Sequence, residues 1–267
     1  MINMNDIVGS HSILFATFDT LRYDVAVEAF SEGTTPTLAK MIPQGWEERH
    51  TPGTFTWAAH QAFFSGFLPT PARPGKHPRL FAAEFEGSET TTENTFVFEA
   101  ADIVSGLRTL NYRTICIGGV GFFNKQTALG NAMPSLFEES YWSREFGVTD
   151  PESARNQFNF AAKWIRRLKK EEKFFMFINI SAIHQPNYFY KAGESGDSLA
   201  THRSALEYVD SCLPVLTESL TSHGNTFCIL CADHGTAYGE DGYTGHRLSH
   251  PAVLTVPYAE AILNKQA

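Results

Sequence analysis

Phe227-Cys228-Ile229-Leu230-Cys231-Ala232-Asp233-His234-Gly235 sets an apolar run against an acid and an imidazole side by side. A short continuous apolar run closed by a turn residue reads as a strand buried on both faces, the kind a parallel sheet uses. The same arrangement stands near the start of the chain, where Ile13-Leu14-Phe15-Ala16-Thr17-Phe18 reads as a strand and Asp19 follows it. In an open parallel α/β sheet the carboxyl ends of the strands line up along the edge where such folds bind ligands. Two strands far apart in sequence therefore deliver metal-ligand side chains to one place.

Between these strands the pattern alternates. Thr37 to Met41 reads as a short helix and Trp57 to Phe67 as a longer one. Pro69, Pro71, Pro74 and Pro78 then break the pattern in a loop made basic by Arg73, Lys76, His77 and Arg79. This loop reads as a solvated connection or as a lid that draws in an anionic substrate. A helix from about Phe98 to Leu110 leads into the strand Thr114 to Ile117 and then Gly118-Gly119-Val120-Gly121. That cluster lacks the G-x-G-x-x-G spacing and the later acid of a dinucleotide turn. From about Glu152 to Lys170, Phe158, Ala161, Ile165 and Leu168 recur at helical spacing, with Arg166, Arg167, Lys169 and Lys170 on a solvated face. Phe174 to Ile180 reads as a continuous apolar strand. One further amphipathic helix carries Leu206, Val209, Leu213, Leu216 and Leu220 and ends at Gly224. The fold class expected is α/β, a mainly parallel central sheet with helices on both faces.

At 267 residues and 43% hydrophobic, the chain is long enough for one large core and short for two domains, so residues 1–267 read as a single compact domain. Lys and Arg are outnumbered 21 to 29 by Asp and Glu, which argues against a nucleic-acid partner. Met1 to Gly9 carries no secretory signal, and no apolar run approaches the roughly 20 residues of a membrane span. Cys116, Cys212, Cys228 and Cys231 read as buried reduced thiols, and a cytoplasmic location is the expectation.

Carboxylate and imidazole together suit Zn²⁺, Mn²⁺ or Fe²⁺. Asp19, Asp233 and His234 form such a set, with room for a hydroxyl. Three stretches resemble the alkaline phosphatase superfamily, which includes sulfatases, nucleotide phosphodiesterases and lipoteichoic acid synthases. They are Asp19-Thr20-Leu21-Arg22-Tyr23-Asp24, the segment Thr56 to Pro69, and Asp233-His234-Gly235 with Tyr238-Gly239-Glu240-Asp241 and Val256-Pro257. The resemblance spans nearly the whole chain and implies an alkaline-phosphatase-like fold.

In that superfamily the nucleophile opens a helix thirteen residues before a proline, which here is Pro69 and implies Thr56; Thr54 and Thr51 are the alternatives. Sulfatases of the superfamily place a formylglycine-forming cysteine there, whereas this chain has Thr56-Trp57-Ala58-Ala59-His60. The resemblance thus implies a metal-dependent hydrolase or transferase of phosphate mono- or diesters. Asp19, Thr56, Asp233 and His234 would contact the cation, Zn or Mn, and Thr56 would attack. His184 and His246 would steady the substrate or protonate its leaving group. His184, His246 and His250 are alternatively ligands of a second metal, although the Asp that two-metal relatives carry four residues before the first of these is Ile180 here. Arg22 would contact a phosphoryl oxygen or form a structural ion pair with Asp24 or another acid. His11, His50, His77, His202 and His223 read as structural, and His60 is left open. Relatives add a carboxy-terminal subdomain that shapes the pocket, so a homo-oligomer or partner protein completing it is expected. The other readings are a sulfate or phosphonate ester hydrolase, and a non-catalytic metal-binding protein with the same fold.

Overall fold

A computed structural model describes residues 2–66 and 102–266. The proline-rich basic loop and the start of the helix expected from Phe98 lie outside the described residues. The chain opens with helix α1 (Met4–Ile7) and strand β1 (Ser12–Phe18), followed by α2 (Tyr23–Ser31), α3 (Pro36–Met41), β2 (Glu47–His50) and α4 (Thr56–Ser65). Then come α5 (Ile103–Thr109), β3 (Arg113–Ile117), α6 (Ala128–Ala132), β4 (Glu139–Tyr141), α7 (Ser153–Ile165) and β5 (Phe174–Ile180). The last part holds α8 (Leu199–Cys212), α9 (Pro214–His223), β6 (Thr226–Cys231), β7 (Ala237–Tyr238), β8 (Thr244–Gly245), α10 (Pro251–Leu254) and β9 (Thr255–Leu263).

Seven strands form one sheet in the order β2-β9-β6-β1-β5-β3-β4, and β7 and β8 form a separate pair. The run from β6 through β4 is parallel, whereas β9 joins β6 and β2 in antiparallel fashion. The mainly parallel sheet expected from the apolar strands is what forms. Strand β1 lies between β5 and β6, so Asp19 emerges between the residues that follow those two strands.

Each face of the sheet buries its own core. Leu14, Ala16 and Phe18 of β1 and Met176, Ile178 and Ile180 of β5 pack with apolar residues of α2, α3, α7, α8 and α9. Ile13 of β1 and Phe175 and Phe177 of β5 point the other way, with Ile7 of α1, Phe64 of α4 and Val104 and Leu107 of α5. This period of two sets the parity of the site: Thr17 and Asn179, paired in register, share the face beneath α4. Phe177 is the hub there, with the rings of Phe15, His60, Phe64, Phe123 and Phe137 all within 6.1 Å of its own.

The single helix expected to end at Gly224 is two. It breaks at Leu213 because Pro214 has no N–H to donate and is tolerated only where a helix begins, so α9 starts there. Gly118 and Gly119 serve packing: a Cβ would lie 2.3 Å from Phe123 Cβ at the first and 2.4 Å from the Asn179 carbonyl oxygen at the second. Among the described residues, no helix is long and apolar enough to cross a membrane.

Candidate active site

The carboxyl ends of β1 and β6 bring Asp19, Asp233 and His234 together, fully buried, with one ligand atom of each within 4.8 Å of the others. Thr20, which follows Asp19, has a φ of 64°. This left-handed conformation is rare for a β-branched residue, and it turns the backbone so that Thr20 N–H donates to Asp233 Oδ1 at 3.3 Å. Asp233 Oδ1 also accepts from His234 N–H at 3.0 Å. Gly235 is required by close approach, since a Cβ would sit 2.0 Å from the carbonyl oxygen of Ala252 in α10.

The electrostatics of the cluster ask for a cation. Asp19 Oδ1 and Asp233 Oδ2 are buried without a hydrogen-bond partner. Burial first, then the charge of Asp233, raises the Asp19 carboxyl to about 6, and burial raises Asp233 to about 7. Two desolvated carboxylates side by side are costly without a compensating positive charge. His234 is kept neutral by burial, which lowers its pKa, and its Nδ1–H donates to the Gly235 carbonyl at 2.9 Å. Its Nε2 lone pair is therefore turned toward the acids, the tautomer a metal-bound imidazole needs. Two orphaned carboxylate oxygens and one imidazole nitrogen fit a divalent metal of the zinc or manganese kind.

Thr56 joins this group from α4. Phe55 is the N-cap of that helix, so the Thr56 hydroxyl is not used in capping. It lies 3.4 Å from Asp19 Oδ2 and 3.4 Å from His234 Nε2, and the residue is 3% exposed. Thr51 Oγ1 instead donates to the Asp233 carbonyl, and Thr54 offers its carbonyl to Arg247 N–H at 2.8 Å.

The late histidines divide. The His246 ring lies 4.6 Å from the His234 ring, tilted against it, and 5.5 Å from His184, edge to face, so three imidazoles line one side of the site. His184 Nδ1 donates to the Gln185 carbonyl at 2.5 Å. His250 has other partners: its Nδ1 accepts from Ala252 N–H at 3.1 Å as the cap of α10, and its Nε2 faces Asp241 at 3.2 Å. Arg22 is 7% exposed, with Nε and Nη2 on Asp24, Nη1 on Glu240 and the Thr236 carbonyl. Its guanidinium is thus held in an ion-paired triad.

Sequence reading passed over Asn179 and Thr17. Asn179 Nδ2 donates to Asp19 Oδ2 at 3.0 Å, and its Oδ1 accepts from Val120 N–H at 3.0 Å. The available signal was an amide and a hydroxyl near the ends of strands otherwise apolar, since polar groups buried in a sheet need partners.

The sulfatase family model matches residues 12–258. The chain belongs to the sulfatase family. The fold of this sulfatase-family chain is also that of the alkaline phosphatase superfamily in solved structures. The C-terminal periplasmic domain of phosphoethanolamine transferase EptC from Campylobacter jejuni aligns with a TM-score of 0.63 at 13% identity, over 95% of this chain and 79% of that one. The corresponding domain from Escherichia coli, in complex with Zn, aligns at 0.64 and 10% identity, over 96% and 73%. A protein of the alkaline phosphatase superfamily from Vibrio parahaemolyticus aligns at 0.60 and 19% identity, over 97% and 62%. A search of curated proteins finds no match to the sequence.

Proposed function

We propose that this chain is a metal-dependent phosphoric ester hydrolase or phosphotransferase in which Asp19, Asp233 and His234 hold one divalent cation, zinc or manganese, and Thr56 is the nucleophile. One observation carries the reading: the Thr56 hydroxyl, uncommitted to capping at the start of α4, lies 3.4 Å from both Asp19 Oδ2 and His234 Nε2. A structural neighbour named as a phosphoethanolamine transferase favours phosphorus, and another, in complex with Zn, favours zinc.

A bound cation supplies positive charge that lowers the pKa of a nearby hydroxyl and offsets charge on the transferred group. Thr56 Oγ1, its proton released to solvent, forms a bond to phosphorus while the bond to the leaving alcohol oxygen breaks. Water or another acceptor then resolves the phosphothreonine. The N-terminus of α4 faces the anionic group with its partial positive charge. His184 keeps Nδ1–H on the Gln185 carbonyl and acts as the acid in its imidazolium form, a proton taken up from solvent at Nε2 passing to the leaving oxygen. His246, lowered to about 3 by burial and then by its histidine neighbours, stays neutral and holds a substrate oxygen by a hydrogen bond.

Thr56→Ala tests the reading. Hydrolysis of a chromogenic phosphodiester is expected to fall at least about a thousandfold while bound metal, measured by elemental analysis, is retained. Undiminished turnover would reassign the nucleophile.

A further inference from the structure

A chain of four buried hydrogen bonds joins the backbone of Thr56 to the carboxylate of Asp19 through three side chains with no place in the proposed chemistry. His60, one turn into α4, places Nδ1 2.7 Å from the Thr56 carbonyl and Nε2 3.1 Å from Thr17 Oγ1. Asn179 Nδ2 lies 3.4 Å from Thr17 Oγ1 and 3.0 Å from Asp19 Oδ2. Thr17, His60 and Asn179 are all fully buried.

The proton positions along this chain follow from the partners. A carbonyl only accepts, so His60 Nδ1 carries the hydrogen, and a neutral ring then presents Nε2 as an acceptor. The Thr17 hydroxyl must therefore donate to His60, which leaves its lone pairs for an Asn179 N–H. The Asn179 amide cannot be flipped, because Val120 N–H donates to its Oδ1. Its remaining N–H is committed to Asp19 Oδ2, the oxygen nearest Thr56, and Asp19 Oδ1 is left unpartnered for a cation. Asp233 Oδ2, the other acceptor facing the His60 ring, is 3.8 Å from Nδ1 and outside hydrogen-bond range.

We infer that His60, Thr17 and Asn179 are positioning residues: a directional relay that fixes the first turn of α4, and with it the Thr56 hydroxyl, at a set distance from Asp19 Oδ2. The inference rests on the proposed roles of Asp19 and Thr56. Partners one bond removed from a metal ligand change metal affinity or activity by about 10- to 100-fold when lost.

Thr17→Val is the decisive variant, because it is isosteric, touches neither cation nor substrate and breaks the relay at its centre. Long-range ¹H–¹⁵N spectra of the metal-free protein are expected to show His60 as the Nδ1–H tautomer, with the Nε2 resonance shifted in Thr17→Val. Competition with a chromophoric chelator is expected to show Zn²⁺ bound about tenfold more weakly, and kcat on a chromogenic phosphodiester about tenfold lower with KM unchanged. Thr17→Ser, which keeps the hydroxyl, restores all three. An Nε2–H tautomer in the wild-type chain, or wild-type Zn²⁺ affinity in Thr17→Val, overturns the relay. A wild-type chain that takes up no Zn²⁺ overturns the ligand set itself, and the two failures are told apart by the first measurement.

Discussion

At Asp233, folding and the proposed metal binding pull in opposite directions. Its Oδ1 is satisfied by two backbone N–H groups, while Oδ2 is buried with no partner and lies 3.5 Å from His234 Nε2. Asp233→Asn keeps the satisfied acceptor and turns the orphaned oxygen into an amide that can donate to His234. In metal-free protein at pH 8 this change is expected to raise stability by about 1–3 kcal/mol, the cost of an unsatisfied buried polar group, read as a higher urea midpoint. The same variant is expected to lose the stabilisation that added Zn²⁺ gives the wild type. A lower midpoint would mean the carboxylate is well paired without metal. Asp19, Asp233 and His234 were legible in sequence because each interrupts or closes an apolar run where a strand must end. Arg22 was legible only as a choice, since Asp24 is two residues away but Glu240, its other partner, lies 218 residues further on. Thr17 and Asn179 were hidden because one hydroxyl or amide does not disturb the apolar reading of a strand, and only the register of β1 against β5 makes them neighbours.

Elements differ in how far local sequence specifies them. Strands β1, β5 and β6 are covered on both faces, so their apolar runs were readable directly. Strand β2 consists of Glu47, Glu48, Arg49 and His50, all exposed; it carries no alternation and exists because β9 offers it a ladder. The α8/α9 break was overridden by a leucine spacing that continues across Pro214, where local backbone chemistry prevails over periodicity. Strand β5 and α4 meet at Phe177, fully buried among five rings that include His60. Phe177→Ala is expected to cost about 3–5 kcal/mol, as large-to-small changes of buried aromatics do. Equilibrium urea unfolding should show a lower midpoint with the slope unchanged. Because the His60 ring packs against Phe177 at 5.3 Å, the same variant is expected to weaken Zn²⁺ binding although it lies outside the ligand set. A loss below about 1 kcal/mol would mean that the pocket collapses around the smaller side chain.

Across the whole molecule, two sets of buried groups give the metal-free protein opposing responses to pH. His60 and His202 are held neutral by burial, each lowered to about 3. Between that value and the ordinary 6.5 the unfolded chain binds protons that the folded chain does not, so their contribution to stability rises with pH. Asp19 and Asp233, raised to about 6 and about 7, do the reverse: from about 4 upward the folded chain keeps protons that the unfolded chain has released, and stability falls as pH rises. In the window from about pH 4 to 6 the slopes oppose, and the metal-free melting temperature is expected to vary little. A cation must displace the carboxyl protons in order to bind, so its affinity climbs as pH rises through about 6 and 7. At free Zn²⁺ near a hundred times its dissociation constant the added stability is about 2.7 kcal/mol. The gap between loaded and metal-free melting temperatures should therefore widen from pH 5 to about pH 7 and level off toward pH 8, while the loaded protein alone shows the rising slope set by the histidines up to about pH 6.5. Calorimetric scans at fixed Zn²⁺ across that range decide the matter, and a gap independent of pH would mean that Asp19 and Asp233 do not hold the ion.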